Sequence, residues 1–196
     1  MCKVEALTHT PTDYPEDVSG NWDERYRLAE KLDSTPVPLL VEVADLLPPG
    51  RALDLACGAG RNALYLAGLG WSVVAVDSSQ AALDIVRNRA AAARLAIDIR
   101  QGDLEADACA VEPDAYDLIC DFFYLQRNLF PRIRAAVRPG GLFTAEIHLR
   151  DAQPHRFVLE PGELRQEFAS WKILYYSEST RPGHARPTAQ IIARRA

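Results

Sequence analysis

Lysine is almost missing from this chain: Lys3, Lys31 and Lys172 are the only three in 196 residues, and the formal charge is −5. Without a lysine-rich patch to neutralise a phosphate backbone, nucleic acid is not an expected partner. Arg132, Arg134 and Arg138 do cluster, but they read as the solvated face of a helix between two strands. Cysteine is also scarce. Cys2, Cys57, Cys109 and Cys120 form no Cys-x-x-Cys pair and no metal-ligand spacing, which excludes a disulfide-stapled secreted scaffold and a thiolate metal site. Reduced thiols in a cytoplasm are expected. No segment approaches the ~18 apolar residues of a membrane span. Met1-Cys2-Lys3-Val4-Glu5 opens no leader-like apolar run, so neither membrane nor export is expected.

What remains is ordinary globular material, with 48% hydrophobic and 25% charged residues. Its length fits one domain, here expected over residues 21–196 as a monomer or homodimer. Residues 1–20, with Pro11, Asp13, Pro15, Glu16, Asp17 and Gly20, have no apolar period and are expected as a mobile arm or surface loop. Residues 21–33 place Trp22, Tyr26, Leu28, Ala29 and Leu32 at helical spacing. A second helical pattern runs from Leu39 to Leu47 and is closed by Pro48-Pro49-Gly50. From residue 51 short apolar runs alternate with helical patterns: strands at 51–56, 72–76, 97–100, 115–121 and 141–147, helices at 61–69, 79–93 and 127–137. The last of these strands is announced by a turn at Arg138-Pro139-Gly140-Gly141. A short helix opened by Pro161-Gly162-Glu163 follows, then strands at 172–177 and 188–193, where strand following strand implies an antiparallel pair at a sheet edge. The expected fold is an open α/β sheet, mostly parallel, with helices on both faces and prefixed at the N-terminus.

The chemistry concentrates after the first strand. In Leu53-Asp54-Leu55-Ala56-Cys57-Gly58-Ala59-Gly60-Arg61-Asn62, Gly58 and Gly60 sit between strand and helix, where backbone can approach a ligand and the helix N-terminus offers free N–H groups. Asp77 ends the next strand, from which a carboxylate reaches ribose hydroxyls. Asp103 follows the third strand, where it can accept an adenine amine beside Leu104. Without a ligand, the same residues would serve as a tight turn, a helix cap and a turn aspartate.

Two ligands use such a cradle, a dinucleotide and S-adenosylmethionine, and Gly58-Ala59-Gly60-Arg61-Asn62-Ala63 satisfies the looser dinucleotide pattern. Asp54 argues for the second, because its negative charge beside the loop repels a pyrophosphate and attracts an ammonium. There is no Tyr-x-x-x-Lys pair for reduction chemistry, and fifty residues precede the fingerprint.

From Trp22 to Arg195 these residues resemble the class I S-adenosylmethionine-dependent methyltransferases, and most of all the bacterial tellurite-resistance (TehB-like) group. The likeness lies in Leu53 to Ala67, which follows that group's Leu-Asp-x-x-Cys-Gly-x-Gly-Arg-Asn loop and its Leu-Tyr-Leu-Ala helix. Gly70-Trp71 leading to Asp77, Tyr116-Asp117-Leu118-Ile119 and Arg138 to Gly141 add weaker likeness, as do Gly162 to Arg165 with Trp171 and Tyr175 to Glu178. The resemblance implies a seven-stranded Rossmann-like sheet of order 3-2-1-4-5-7-6 with strand 7 antiparallel. It implies that Asp54, Gly58, Gly60, Arg61 and Asn62 surround the methionine half, Asp77 and Ser78 the ribose, Asp103 and Leu104 the adenine, and the Cys120 backbone the ammonium. Trp22 and Tyr26 would lie over the cofactor, or else pack as a core stripe. His184-Ala185-Arg186 occupies the loop that this group links to its substrate pocket. Tyr124, Arg127 and His148 lie near the ends of strands 4 and 5, where acceptors usually sit.

Methyl transfer needs little acid or base machinery, since the sulfonium is already activated and holding the acceptor ~3–3.5 Å from the carbon does most of the work. The absence of a catalytic triad is therefore uninformative, and the N-terminal helices have a role to fill as a lid. Three readings stand: a methyltransferase for a small-molecule acceptor, yielding S-adenosylhomocysteine; an NAD(P)-dependent oxidoreductase; and a binding protein that keeps the pocket without the chemistry. The acceptor is not written in these motifs.

Overall fold

A computed structural model of the chain describes residues 22–29, 31–106, 111–152, 157–180 and 186–196. The expected arm at residues 1–20 lies outside them.

Seven strands form one sheet: β1 Arg51–Leu55, β2 Ser72–Asp77, β3 Ile97–Gln101, β4 Tyr116–Phe122, β5 Val137–His148, β6 Lys172–Ser179 and β7 Thr188–Arg194. Their order is β3-β2-β1-β4-β5-β7-β6. The first five are parallel to one another, while β7 runs antiparallel to both β5 and β6. β1, β2 and β4 are buried almost throughout, so they read in sequence as unbroken apolar runs rather than alternations. Edge strand β6 keeps a mostly exposed or half-exposed pattern.

Helices cover both faces. α2 (Pro38–Ala44), α3 (Arg61–Gly68) and α4 (Gln80–Ala93) bury Leu40, Val43, Leu66, Leu83 and Val86 against Ala52, Val73, Leu118 and Leu142. On the other face α5 (Phe130–Ala136) and α6 (Glu163–Glu167) pack over Leu53, Ile119 and Phe143. There Phe168 stacks on Phe143 with ring centroids 4.5 Å apart and meets Phe130 edge-on at 5.9 Å, the geometry aromatic quadrupoles favour.

Several boundaries differ from those expected, and α2 ends at Ala44 rather than Leu47. The first helix, α1, spans Trp22–Leu28 and buries no residue, so nothing in the core sustains its helix over the full 21–33 pattern. The helix expected at 127–137 splits into a 3-10 turn Arg127–Leu129 and α5, because Pro131 lacks the N–H that a helix begun at residue 127 would need. The Arg138 to Gly141 turn lies inside β5: the register jumps from Tyr116↔Val137 to Leu118↔Leu142, a bulge in which Gly140 takes φ +81°.

Candidate active site

The sheet order changes direction between β1 and β4. β1, β2 and β3 step one way under α3 and α4, whereas β4 and β5 step the other way over α5. The carboxyl ends of strands open a crevice at such a point, and here the glycine loop stands over it.

The loop is shaped by positive φ at Ala56 (50°), Gly58 (53°) and Gly60 (79°). At Gly60 the missing Cβ is needed by the protein itself, since a Cβ there would lie 2.7 Å from Val86 Cγ2 on α4. At Gly58 a Cβ would collide with the Tyr26 hydroxyl oxygen, which places α1 directly against the cradle. Trp22 is 48% exposed and Tyr26 half-buried, so the core-stripe alternative for α1 does not hold.

Asp77 closes the loop from the second strand. Its Oδ2 accepts the Gly58 N–H at 2.8 Å and its Oδ1 accepts the Ser79 N–H at 2.9 Å. Burial pushes this carboxyl upward while those N–H groups pull it down. Each oxygen keeps acceptor capacity beyond one N–H. Ser78 is exposed, and its carbonyl accepts from Gln101 Nε2. Asp103 is exposed in a turn that accepts the Glu105 N–H, and Leu104 is buried in the core beside it.

Asp54 is 1% exposed, and its Oδ2 has no hydrogen-bond partner among the described residues. Burial raises its carboxyl to about 7, against the opposing pull of the Ala63 N–H in the first turn of α3 and of Arg61. Cys57 and Cys120 are buried free thiols held well above their usual range, first by burial and then by neighbouring carboxylates including Asp54. Neither is suited to act as a thiolate nucleophile.

Arg61 and Asn62 hold the chain that precedes the sheet. Arg61 Nη1 pairs with Asp33 at 2.8 Å, and Asn62 Oδ1 accepts the Val37 N–H at 3.0 Å. Two anchors escaped the sequence reading. Arg89 on α4 donates to the Ala59 carbonyl at 3.2 Å. Asp23 on α1 accepts from Ser79 Oγ at 2.7 Å and from the Ala81 N–H at 3.0 Å, docking α1 on the start of α4. Their partners lie thirty or more residues away, and no local pattern reveals such pairings.

Past β4, Tyr124 is half-buried among Glu105, Asp121, Asp103 and Asp77, and burial followed by those charges pushes its phenol far up. Phe123 takes φ +63°, a left-handed conformation costly for a bulky residue, held by its N–H on the Glu146 carbonyl at 2.7 Å. Its ring lies 5.5 Å from that of His148 and 5.8 Å from the Arg61 guanidinium. His148 ends β5 opposite Thr188, and half-buried Arg186 enters β7 two residues earlier. His184 lies outside the described residues. Arg127 is engaged elsewhere: its Nε meets Glu163 at 2.5 Å and its Nη2 the Val158 carbonyl at 3.0 Å.

A switch-point crevice, a glycine loop and carboxylates at the ends of β1 and β2, on a sheet whose antiparallel β7 is inserted between β5 and β6, define the class I methyltransferase fold. A family model described as "Tellurite resistance protein TehB" matches residues 22–189, and the chain belongs to that family. It is 35% identical over 153 residues to Hemagglutinin 1 of Eikenella corrodens, an alignment covering 74% of this chain and 51% of that protein. It is 29% identical over 152 residues to the probable S-adenosyl-L-methionine-dependent methyltransferase TehB of Haemophilus influenzae, covering 71% and 52%. The chain thus spans about half the length of the curated relatives it matches. The crystal structure of TehB from Haemophilus influenzae aligns with a TM-score of 0.70 at 24% identity, over 80% of this chain and 61% of that one. The [4+2]-cyclase SpnF aligns at 0.67 and 18% identity, over 80% and 79%. These two structures show the shared fold.

Proposed function

We propose that this chain transfers a methyl group from S-adenosylmethionine to a small-molecule acceptor. The observation that carries this reading is the sign of the charge around the loop: Asp54 and Asp77 line it, Arg61 is paired with Asp33, and Arg89 is turned onto a backbone carbonyl. That field suits a cationic cofactor and opposes a pyrophosphate. The strand inserted between β5 and β6 also departs from the 3-2-1-4-5-6 order of dinucleotide folds. The family membership and the TehB relative support the same reading.

The residues present fit the cofactor. Asp54 supplies a buried acceptor oxygen, Oδ2, with no hydrogen-bond partner among the described residues. In this reading Asp54, the loop from Cys57 to Gly60 and the Cys120 carbonyl take the methionine half, Asp77 and Ser78 the ribose, and Asp103 with the edge of Leu104 the adenine. Arg61 and Asn62 act one step back, fixing the segment that carries α1, while Tyr26 covers the loop. The bound cofactor supplies a methyl group already activated on sulfur. The chain's part is to orient an acceptor on the platform of Phe123, Tyr124 and His148, and to exclude water with α1. The same reading places the protein in the cytoplasm, as a monomer or homodimer acting on neither nucleic acid nor membrane, in keeping with net charge −5 and buried free thiols.

Calorimetry with S-adenosylmethionine, S-adenosylhomocysteine and NADH tests the cofactor, with binding of the first two expected. Binding of NADH alone would overturn the reading. Methyl transfer to some member of a panel of thiols, selenite, tellurite and small phenols separates an enzyme from a protein that only binds.

A further inference from the structure

Within Leu118-Ile119-Cys120-Asp121-Phe122-Phe123, Asp121 is a lone carboxylate in an apolar run. On β4 it stands opposite Leu55 of β1 and Ala145 of β5, while Asp54 stands opposite Cys120. Successive side chains point to opposite faces of a strand. Asp54 therefore shares a face with Ala52 and Leu118, and Asp121 the other face with Leu53 and Ile119. Each lies one residue short of its strand's end. The two carboxylates flank the β1/β4 boundary from its two sides, which is the boundary where the crevice opens.

Both are 1% exposed, and both leave one oxygen, Asp54 Oδ2 and Asp121 Oδ1, without a hydrogen-bond partner among the described residues. Such a pair burdens the fold twice over, through desolvation of two carboxylates and through their mutual repulsion. Burial, then the Asp54 charge, holds the Asp121 carboxyl well above the usual carboxylate range. An apolar residue at 121 would extend the surrounding core without that burden. A cation in the crevice removes both burdens, and an ammonium has three donors to share between two carboxylate oxygens and a strand-end carbonyl.

We infer that Asp121 is a second carboxylate of the cofactor site and, with Asp54, grips the methionine ammonium of S-adenosylmethionine from the opposite side of the switch point. This rests on the cofactor assignment proposed above. It also makes the amino-acid half of the ligand, rather than the adenosine half, the part that Asp121 reads.

The experiment compares wild type with Asp121→Asn by calorimetry against S-adenosylmethionine, S-adenosylhomocysteine and 5′-methylthioadenosine, the last of which lacks the amino acid altogether. Losing a charge-assisted hydrogen bond weakens the first two by about ten- to a hundredfold. Affinity for 5′-methylthioadenosine stays within about twofold, because that ligand carries no ammonium to lose. Without ligand the variant melts no lower than wild type, since a buried charge has been removed. Unchanged affinity for S-adenosylhomocysteine overturns the inference, and so does an equal loss for all three ligands, which would mean that Asp121 only shapes the cradle. Should Asp121→Asn fail to fold, Asp121→Ser is read by the same comparison. A wild type that binds neither S-adenosylmethionine nor S-adenosylhomocysteine overturns the cofactor assignment itself.

Discussion

Asp54 meets two opposed demands, since the fold would prefer it neutral and a cationic ligand would prefer it charged. Its carboxyl is raised by burial from 3.8 to about 7, so the folded protein binds a proton there more tightly than the unfolded chain does. The stability this confers is complete below pH ~4, declines as pH rises through the folded value, and is gone above it, a range worth roughly 4 kcal/mol. Asp54→Asn is expected to flatten that part of the pH–stability curve and to melt higher than wild type at pH 8, as seen in thermal scans from pH 4 to 8. The same substitution should weaken S-adenosylmethionine by about tenfold or more. Wild-type affinity should rise with pH and level off above 7, which calorimetry at several pH values would follow. Gly60 poses a plainer steric demand. Gly60→Ala places a methyl 2.7 Å from Val86 Cγ2 at φ +79° and should cost roughly 1–3 kcal/mol in urea unfolding. Combining it with Val86→Ala should cost less than the sum of the two single changes, because only the overlap is relieved.

Elements explain what single residues do not. α1 buries none of its residues and is held to α4 through Asp23, whose two oxygens receive Ser79 Oγ, the Ala81 N–H and Arg27. Those N–H and O–H donors, Ala81 first, hold the Asp23 carboxyl below its usual range. Asp23→Ala should release α1 while leaving the sheet intact: faster amide exchange over Trp22–Leu28, little change over α3, and lower turnover at nearly constant melting temperature. A drop in protection across β1 and β4 as well would show that α1 is part of the core after all. The sequence made this helix visible through its spacing, but its dock was illegible, because Asp23 and Ala81 are 58 residues apart. The same distance effect hid the work of Arg61, Asn62 and Arg127, whose partners lie 28, 25 and 36 residues away. Strands fared better, since burial on both faces writes itself into the chain as apolar runs. Asp121 broke one of those runs in plain view, and that break was the signal that could have found it.

At the scale of the whole molecule, the sheet order followed from strand count and from a likeness spread over most of the chain, while the residues proposed for the acceptor left no such pattern. The reason is physical: in the proposed reading the cofactor residues sit on one loop and at the ends of β1 to β4, close to recognisable motifs, whereas the residues proposed for the acceptor come from β4, β5 and α1 and are brought together only by folding. A ligand bridging these elements stabilises them jointly. It binds the folded chain and not the unfolded one, so at a hundred times its dissociation constant it adds about 2.7 kcal/mol. For a chain of this length that should raise the melting temperature by roughly 5–10 °C. S-adenosylmethionine and S-adenosylhomocysteine should both produce the shift and NADH at the same concentration none, as differential scanning fluorimetry would show. In Asp54→Asn the same ligand concentration should give a much smaller shift from a higher starting point. A site built for its cation predicts both changes together, whereas damage to the fold would lower the starting point as well.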